Sequence, residues 1–277
     1  MTSHMIIIGD SRNMSEIKNN SVHLIVTSPP YFDIRDYGVK NQIGFGGKLE
    51  TYLDSIREVF SECYRILQPG RKFCLNISDL PIKGEYGVKW IPLGSYLLNI
   101  TSEVGFELAD RIIWDKTPKK GFYYGSLPYP PSPLIYDSME FIFILRKKGK
   151  SNYEYLNKQN KELSKLRRDE YGEYTKQIWT FNRVRLKNNI NGHIAPFPVE
   201  LPKRCIKLYS FVGDTVLDPF LGSGTTTKAA MLLRRNSIGY EINPDYLEII
   251  KEKIDFSNER LLENIKIEIV HKGEGFL

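Results

Sequence analysis

A chain of 277 residues that is 41% hydrophobic and 26% charged has an ordinary globular composition, which excludes a fibrous or a disordered protein. The longest apolar runs are strand-sized, such as Phe141 to Leu145, and fall far short of the roughly 18 residues a membrane helix needs; the few residues before Gly9 are too short for a signal-peptide core, so a cytoplasmic protein without a membrane partner is expected. The net charge of +6 is uneven, because Arg146 to Lys187 holds thirteen basic and five acidic residues (net +8) and leaves the remainder near −2.

The first strand is expected over Met5–Ile8, ending on Gly9-Asp10-Ser11. A second, Val22–Val26, runs directly into Thr27-Ser28-Pro29-Pro30-Tyr31. Successive prolines have no N–H and a fixed φ, so the carbonyls of Ser28 and Pro29 become rigid outward acceptors. Together with the Ser28 hydroxyl, such a loop suits the hydrogens of an exocyclic amino group, and Tyr31 offers a ring face for a base. A Pro-Pro pair is also common as plain punctuation after a strand. Leu49, Leu53, Ile56, Val59, Phe60, Cys63 and Leu67 then share one helical face, closed by Pro69-Gly70.

Strands Phe73–Ile77 and Arg111–Trp114 follow. Lys116 to Pro133 is rich in Pro, Gly and aromatics and reads as a long loop of the kind that carries function. Its lysines, Lys116, Lys119 and Lys120, read equally as phosphate contacts and as a solvated run. After strand Phe141–Leu145 comes the basic segment, interleaved with Tyr153, Tyr155, Tyr171 and Tyr174. Such a mixture suits a polyanion, and a solvated lysine-rich surface explains the same charge.

Helix Leu201–Tyr209 leads to strand Thr215–Leu217, which runs into Asp218-Pro219-Phe220-Leu221-Gly222-Ser223-Gly224-Thr225-Thr226 and a helix over Thr225–Leu233. Glycines 222 and 224 allow a tight turn and close approach of backbone to a ligand at the carboxyl end of a strand. A turn that merely packs a helix on a sheet uses the same residues. Thr227 replaces the third glycine of a dinucleotide fingerprint and Lys228 is off the P-loop spacing, which disfavours a dinucleotide or a triphosphate. Nineteen residues after Gly222, strand Ser237–Ile242 presents Glu241, a carboxylate suited to two ribose hydroxyls, so the ligand expected is a nucleoside without a phosphate chain. Helix Asp245–Ile254 follows Asn243-Pro244, and Ile265 to Val270 has the pattern of a further strand. Strands alternating with helices define an α/β class with a doubly wound, mostly parallel sheet. Cys63, Cys74 and Cys205 are odd in number and widely spaced, so neither a disulfide framework nor a metal site is expected. His23 and His193 read as structural, and Trp114 and Trp179 as packing.

TSPPY at 27–31 combined with DPFLGSGTT at 218–226 resembles the amino-methyltransferases of DNA, in the permuted β class where the catalytic motif precedes the cofactor motif. Leu67 to Gly70, FIFILRKK at 141–148 and HIAPFPVEL at 193–201 agree, and the resemblance spans Met5 to about Ile254. It implies a Rossmann-like fold binding S-adenosyl-L-methionine, with 5–145 as the catalytic half, 146–192 as an inserted target-recognition segment and 193–277 as the cofactor half. By that resemblance Asp218, Phe220, Gly222 and Gly224 hold the methionine end of the cofactor, with Pro219, Ser223, Thr225, Thr226 and Thr27 around them. Glu241 holds the ribose, Asp10 lies near the adenine, and His193, Pro196 and Phe197 close over the cofactor. Ser28, Pro29, Pro30 and Tyr31 hold the target base.

Ser28 stands where adenine-N6 members usually carry Asp or Asn, so cytosine N4 is the expected acceptor, with adenine N6 and a non-catalytic DNA-binding relative as alternatives. None of the cysteines follows a proline in a strand-end loop, which disfavours a thiolate route to cytosine C5. The base has to leave the duplex to react, with Tyr31 or Phe32 stacking on it. Phe32, Lys116, Lys165, Arg167, Arg168, Arg183 and Arg185 are the expected DNA contacts. Partners implied are double-stranded DNA, a cognate restriction endonuclease and a second copy of the chain.

Overall fold

The structure, a computed structural model, describes residues 1–34, 36, 38–85, 87–116, 138–183, 197–255 and 265–272. The base-binding half contributes β1 (Thr2–Ile8), β2 (Val22–Thr27), α1 (Leu49–Ile66), β3 (Leu67–Ile77), a hairpin of β4 (Leu80–Gly84) and β5 (Gly87–Ile91), α2 (Leu93–Val104), β6 (Phe106–Asp115) and β7 (Met139–Lys147). Two short helices, α3 (Lys158–Leu163) and α4 (Arg168–Tyr174), lead to β8 (Ile178–Thr180). The remainder is α5 (Glu200–Tyr209), β9 (Thr215–Asp218), α6 (Thr225–Leu232), β10 (Asn236–Glu241), α7 (Tyr246–Lys253) and β11 (Ile265–His271).

Nine of these strands form one sheet in the order β11-β1-β10-β9-β2-β3-β7-β6-β8. All run parallel except β7, which is antiparallel to both β3 and β6. The expected doubly wound sheet is therefore present. Its central strands are apolar on both faces because helices cover both. Ile25, Phe73 and Leu75 face α1 and α2 through Ile56, Phe60 and Leu97. Leu24, Val26 and Cys74 face α5 and α6 through Cys205, Ile206 and Ala230, while Ile6 and Ile8 meet Ile250 and Ile254 around α7.

The expected strands and helices are present, with β3 and β6 starting earlier, at Leu67 and Phe106, than the expected Phe73 and Arg111, and Ile265–His271, which the sequence leaves open as a strand or a trailing end, is a strand paired parallel with β1. The α1 helix passes straight into β3: Leu67 is already extended at φ −70° and ψ 137°, and Gln68, which precedes Pro69, is kept from helical geometry. Unanticipated are the β4–β5 hairpin, β8 and α2, which closes on Gly105 at φ 116°, a left-handed end that favours glycine.

The direction of β7 decides where the basic segment lies. It starts beside the carboxyl ends of β2 and β3 and delivers the chain, at Lys147, to their amino ends. There Tyr155 donates to Asp214 Oδ1 at 2.5 Å and Val212 N–H donates to Ser164 Oγ at 2.7 Å, both just ahead of β9. The chain returns through α4 and β8, where Trp179 is fully buried and its indole donates to Tyr174 O at 3.1 Å. Residues 146–180 are thus partly a polar layer under the amino ends of the strands and partly an edge of the main sheet.

Candidate active site

The strand pair β9–β2 brings together two motifs that are distant in sequence. With Leu24 opposite Val216 and Ile25 opposite Leu217, both strands end at the same level, and the loops after them meet. Between those loops and the ends of β1, β3, β6, β7 and β10 lies a cavity of about 550 Å³, within the usual range for ligand pockets. This is the position expected for a ligand in an open α/β sheet.

One end of the cavity is a cradle of backbone and carboxylates. Gly222 and Gly224 sit at φ 53° and 84°, which glycine tolerates best. Gly222 N–H donates to Glu241 Oε2 at 2.8 Å and Asn243 N–H to Oε1 at 2.9 Å, so Glu241 is fixed while each oxygen keeps a lone pair. Glu241 lines the cavity, and burial pushes its carboxyl up to about 7, against the lowering effect of those amides. Gly9, Asp10, Pro219, Phe220, Ser223 and Thr225 also line the space. Asp10 Oδ2 accepts from both Arg12 Nε at 2.8 Å and Nη2 at 2.5 Å, and its Oδ1 accepts from Arg12 N–H at 2.9 Å.

Asp218, Thr27 and Thr226, read as cofactor contacts, do not line the cavity. Asp218 is 1% exposed and accepts from Thr27 Oγ1 at 2.6 Å, Thr226 Oγ1 at 2.6 Å and Phe220 N at 3.0 Å. Burial nevertheless pushes its carboxyl up to about 6. These residues lock the loop from beneath. Gly224 serves it likewise, as the residue that starts α6. Phe197 does line the cavity, whereas His193 and Pro196 lie outside the described residues.

The other end holds Ser28, Pro29, Pro30 and Tyr31. Tyr52 of α1 donates to Pro30 O at 3.0 Å, and Ser78 N–H donates to the Tyr31 hydroxyl at 3.1 Å, so a helix and a strand end brace the loop. The Ser28 hydroxyl is hydrogen-bonded to that of Tyr31, and burial with the nearby Glu140 carboxylate holds the Tyr31 phenol well above its usual range. The pair fixes Ser28 in the cavity wall. Phe32, expected on the base, instead packs on Tyr52 at a ring separation of 5.7 Å against the α1 side of the core.

Asn76, Glu140 and Trp114 complete this end, and the sequence reading passed over the first two. Their signal is a lone polar residue in each apolar strand, FCLNI and MEFIFIL, meaningful only once β3 and β7 are paired. Trp114, expected as packing, is 2% exposed and stacks on Phe181 at 5.1 Å, yet its ring edge borders the cavity.

The expected DNA contacts separate into two groups. Arg183 lines the cavity, carried there by β8. Lys116 is 9% exposed and pairs with Glu140 Oε1 at 3.3 Å, so it is a buried counter-ion, contrary to its reading as a phosphate contact. Lys165 lines a second groove of about 450 Å³, with Arg71, Lys207, Tyr153 and Phe211, at the amino ends of the strands. Arg71 and Ile77, both in β3, lie about 20 Å apart at the usual strand rise. Arg167 is paired with Asp169 and Glu170, and Arg168 begins α4 at the same far end. Among the described residues of the basic segment, Arg183 alone lines the cavity. Arg185 and the loop lysines Lys119 and Lys120 lie outside the described residues. Among the described residues no cluster of ligating side chains suits a metal, and no helix is long and apolar enough to cross a membrane.

A glycine cradle with a ribose-length carboxylate at one end and a rigid acceptor loop at the other defines an S-adenosylmethionine-dependent methyltransferase. Residues 22–252 match the N6/N4 methyltransferase family, described as DNA methylase, and the chain belongs to that family. It is 34% identical to the Type II methyltransferase M.MjaI of Methanocaldococcus jannaschii, over 98% of both chains, and 30% identical to the Type II methyltransferase M.MthZI of Methanothermobacter thermautotrophicus, over 99% of this chain and 84% of the relative. Its fold superposes on TTHA0409 of Thermus thermophilus in complex with S-adenosyl-L-methionine, with a TM-score of 0.77, 29% identity and coverage of 98% of this chain and 100% of that one. It is a DNA methyltransferase that uses S-adenosyl-L-methionine.

Proposed function

We propose that the acceptor is the exocyclic N4 of cytosine in a short specific sequence of double-stranded DNA, and that the chain protects DNA alongside a cognate restriction endonuclease. The observation that carries this reading is the Ser28–Tyr31 hydroxyl pair in the cavity wall, which makes Ser28 an uncharged acceptor with a fixed direction. The relatives' Type II names support the pairing with an endonuclease.

Glu241, Gly222 and Asp10 would hold the cofactor, and the fit rests on the two free lone pairs of Glu241 and on open backbone at Gly222. Bound S-adenosylmethionine supplies an electrophilic methyl on its sulfonium. The protein does the positioning. The cytosine amino group is conjugated with the ring and is a poor nucleophile until its hydrogens are held; Ser28 Oγ and the Pro29 carbonyl accept them and leave the nitrogen lone pair facing the methyl. Transfer is then direct and in line, accelerated by orientation and fixed dipoles. The base reaches this depth only when flipped from the duplex, with Tyr31 bordering it.

Target recognition falls to the cavity end of the sheet, where Arg183 and Phe197 line the cavity. The test is incubation with S-adenosylmethionine and genomic DNA, followed by nucleoside analysis by mass spectrometry. N4-methylcytosine is expected. N6-methyladenine replaces the acceptor and keeps the site.

A further inference from the structure

The polar groups of the base end form a connected network. Glu140, the second residue of β7, lines the cavity beside Asn76, Tyr31 and Ser28. Its Oε2 accepts from Asn76 Nδ2 at 2.5 Å, and its Oε1 is 3.3 Å from Lys116 Nζ. Asn76 is 1% exposed, and among the described residues its Oδ1 accepts no hydrogen bond, an uncommon state for a buried acceptor. Three neighbouring strands supply what holds the half-buried carboxylate: β3 brings Asn76, the end of β6 brings Lys116, and β7 brings Glu140 itself. Packing does not account for this arrangement, since the neighbouring strand positions are apolar. The position does, because the carboxylate and Asn76 line the same cavity as Ser28 and Tyr31.

We infer that Glu140 belongs to the amino-group site, where its carboxylate, held by Asn76 and Lys116, presents negative potential to the amino nitrogen as that nitrogen gains positive charge. A fixed anion in a water-poor cavity costs no reorganisation when charge develops beside it. The inference rests on the reading of the chain as an amino-methyltransferase and holds for a cytosine or an adenine acceptor alike.

Single-turnover methylation of genomic DNA with S-adenosylmethionine tests it. Glu140→Gln keeps shape and removes charge, and is expected to lower the methylation rate about 10- to 100-fold. Dissociation constants for S-adenosylmethionine and for DNA should stay within about twofold, since the change is to a group that acts in the transition state. The double variant Glu140→Gln/Lys116→Met removes both charges at once and should show the same loss if the single variant is poorly folded. In a Tyr31→Phe background the Glu140→Gln effect should persist, because the carboxylate acts on the amino nitrogen itself. An unchanged rate, an effect that vanishes in the Tyr31→Phe background, or weakened cofactor binding in step with the rate overturns the inference. Failure of the functional reading looks different, since wild-type protein would then methylate no amino group at all.

Discussion

Thr27 Oγ1 donates a 2.6 Å hydrogen bond to Asp218 Oδ1 across 191 positions of sequence, and through it the base-binding loop and the cofactor loop share one buried carboxylate. Thr226 and Phe220 N–H hold the same group, so the two motifs are set at a fixed separation. Thr27→Val keeps the shape and removes one of three donors. It is expected to lower stability by about 1–3 kcal/mol, read by urea denaturation. Cofactor affinity should fall with it although Thr27 touches no ligand, and wild-type affinity in the variant would refute the locking role.

The carboxyl of Glu241 titrates at about 7 and must be ionised to accept two ribose hydroxyls. Cofactor affinity is therefore expected to be full above that pH and to weaken as pH falls through it, approaching a tenfold loss per unit. Calorimetric titration from pH 8.5 to 5.5 checks this. Glu241→Gln should bind more weakly at high pH and lose most of the slope.

Stability without ligand runs the other way. Asp218 and Glu241 are raised from 3.8 and 4.5 to about 6 and about 7, so the folded protein holds more protons than the unfolded chain between those limits. Their contribution is fully present below the unfolded values and is lost as pH rises through the folded ones. Saturating cofactor, which favours the ionised form of Glu241, should flatten this dependence in a thermal-shift series.

Arg71 and Asp214 are 3% and 0% exposed and form a buried pair at 3.3 Å, which Tyr155 joins through both partners. Removing one charge strands the other. Asp214→Asn is expected to cost about 3–5 kcal/mol with little change in the methylation rate of the protein that remains folded. A mild effect on denaturation would mean that the pair relaxes into water.

The two basic regions should respond differently on DNA. Arg183→Ala at the cavity is expected to weaken binding and to lower the log–log salt slope by about one. The double change Lys165→Ala/Arg168→Ala, at the far end of the sheet, should alter affinity for a short duplex centred on the target by less than about twofold. Equal effects of both in fluorescence anisotropy would return the far end to the DNA interface.

The glycine loop and the Pro-Pro loop were legible because their chemistry is local: glycines at positive φ and prolines without donors act through their own backbone. Strand order was partly legible, since alternating elements imply parallel neighbours. Asn76, Glu140 and Lys116 were not, because a polar residue in an apolar strand says nothing until its cross-strand partners are known, and β3 meets β7 only in three dimensions. The basic segment misled for a related reason. Its charge is real, but the reversed direction of β7 carries it to the wrong end of the sheet, and several of its cations, Arg146, Lys147, Arg167 and Lys176 among them, are spent on Glu107, main-chain carbonyls, Asp169 and Glu173. Asp218 was placed in the correct loop and given the wrong task, as sequence does not tell a carboxylate facing a ligand from one facing the interior.

Strand β1 opens the chain and yet lies between β10 and β11, both from its last forty-two residues. During synthesis on the ribosome that apolar strand is made 233 positions before its β10 partner, as His4 and Ser237 show, and its hydrogen-bonding edges stay open meanwhile. Long-range pairing of this kind slows folding and leaves an edge available to other chains. The order of motifs that unites the two halves of the active site thus also leaves the nascent chain with a long-lived open strand.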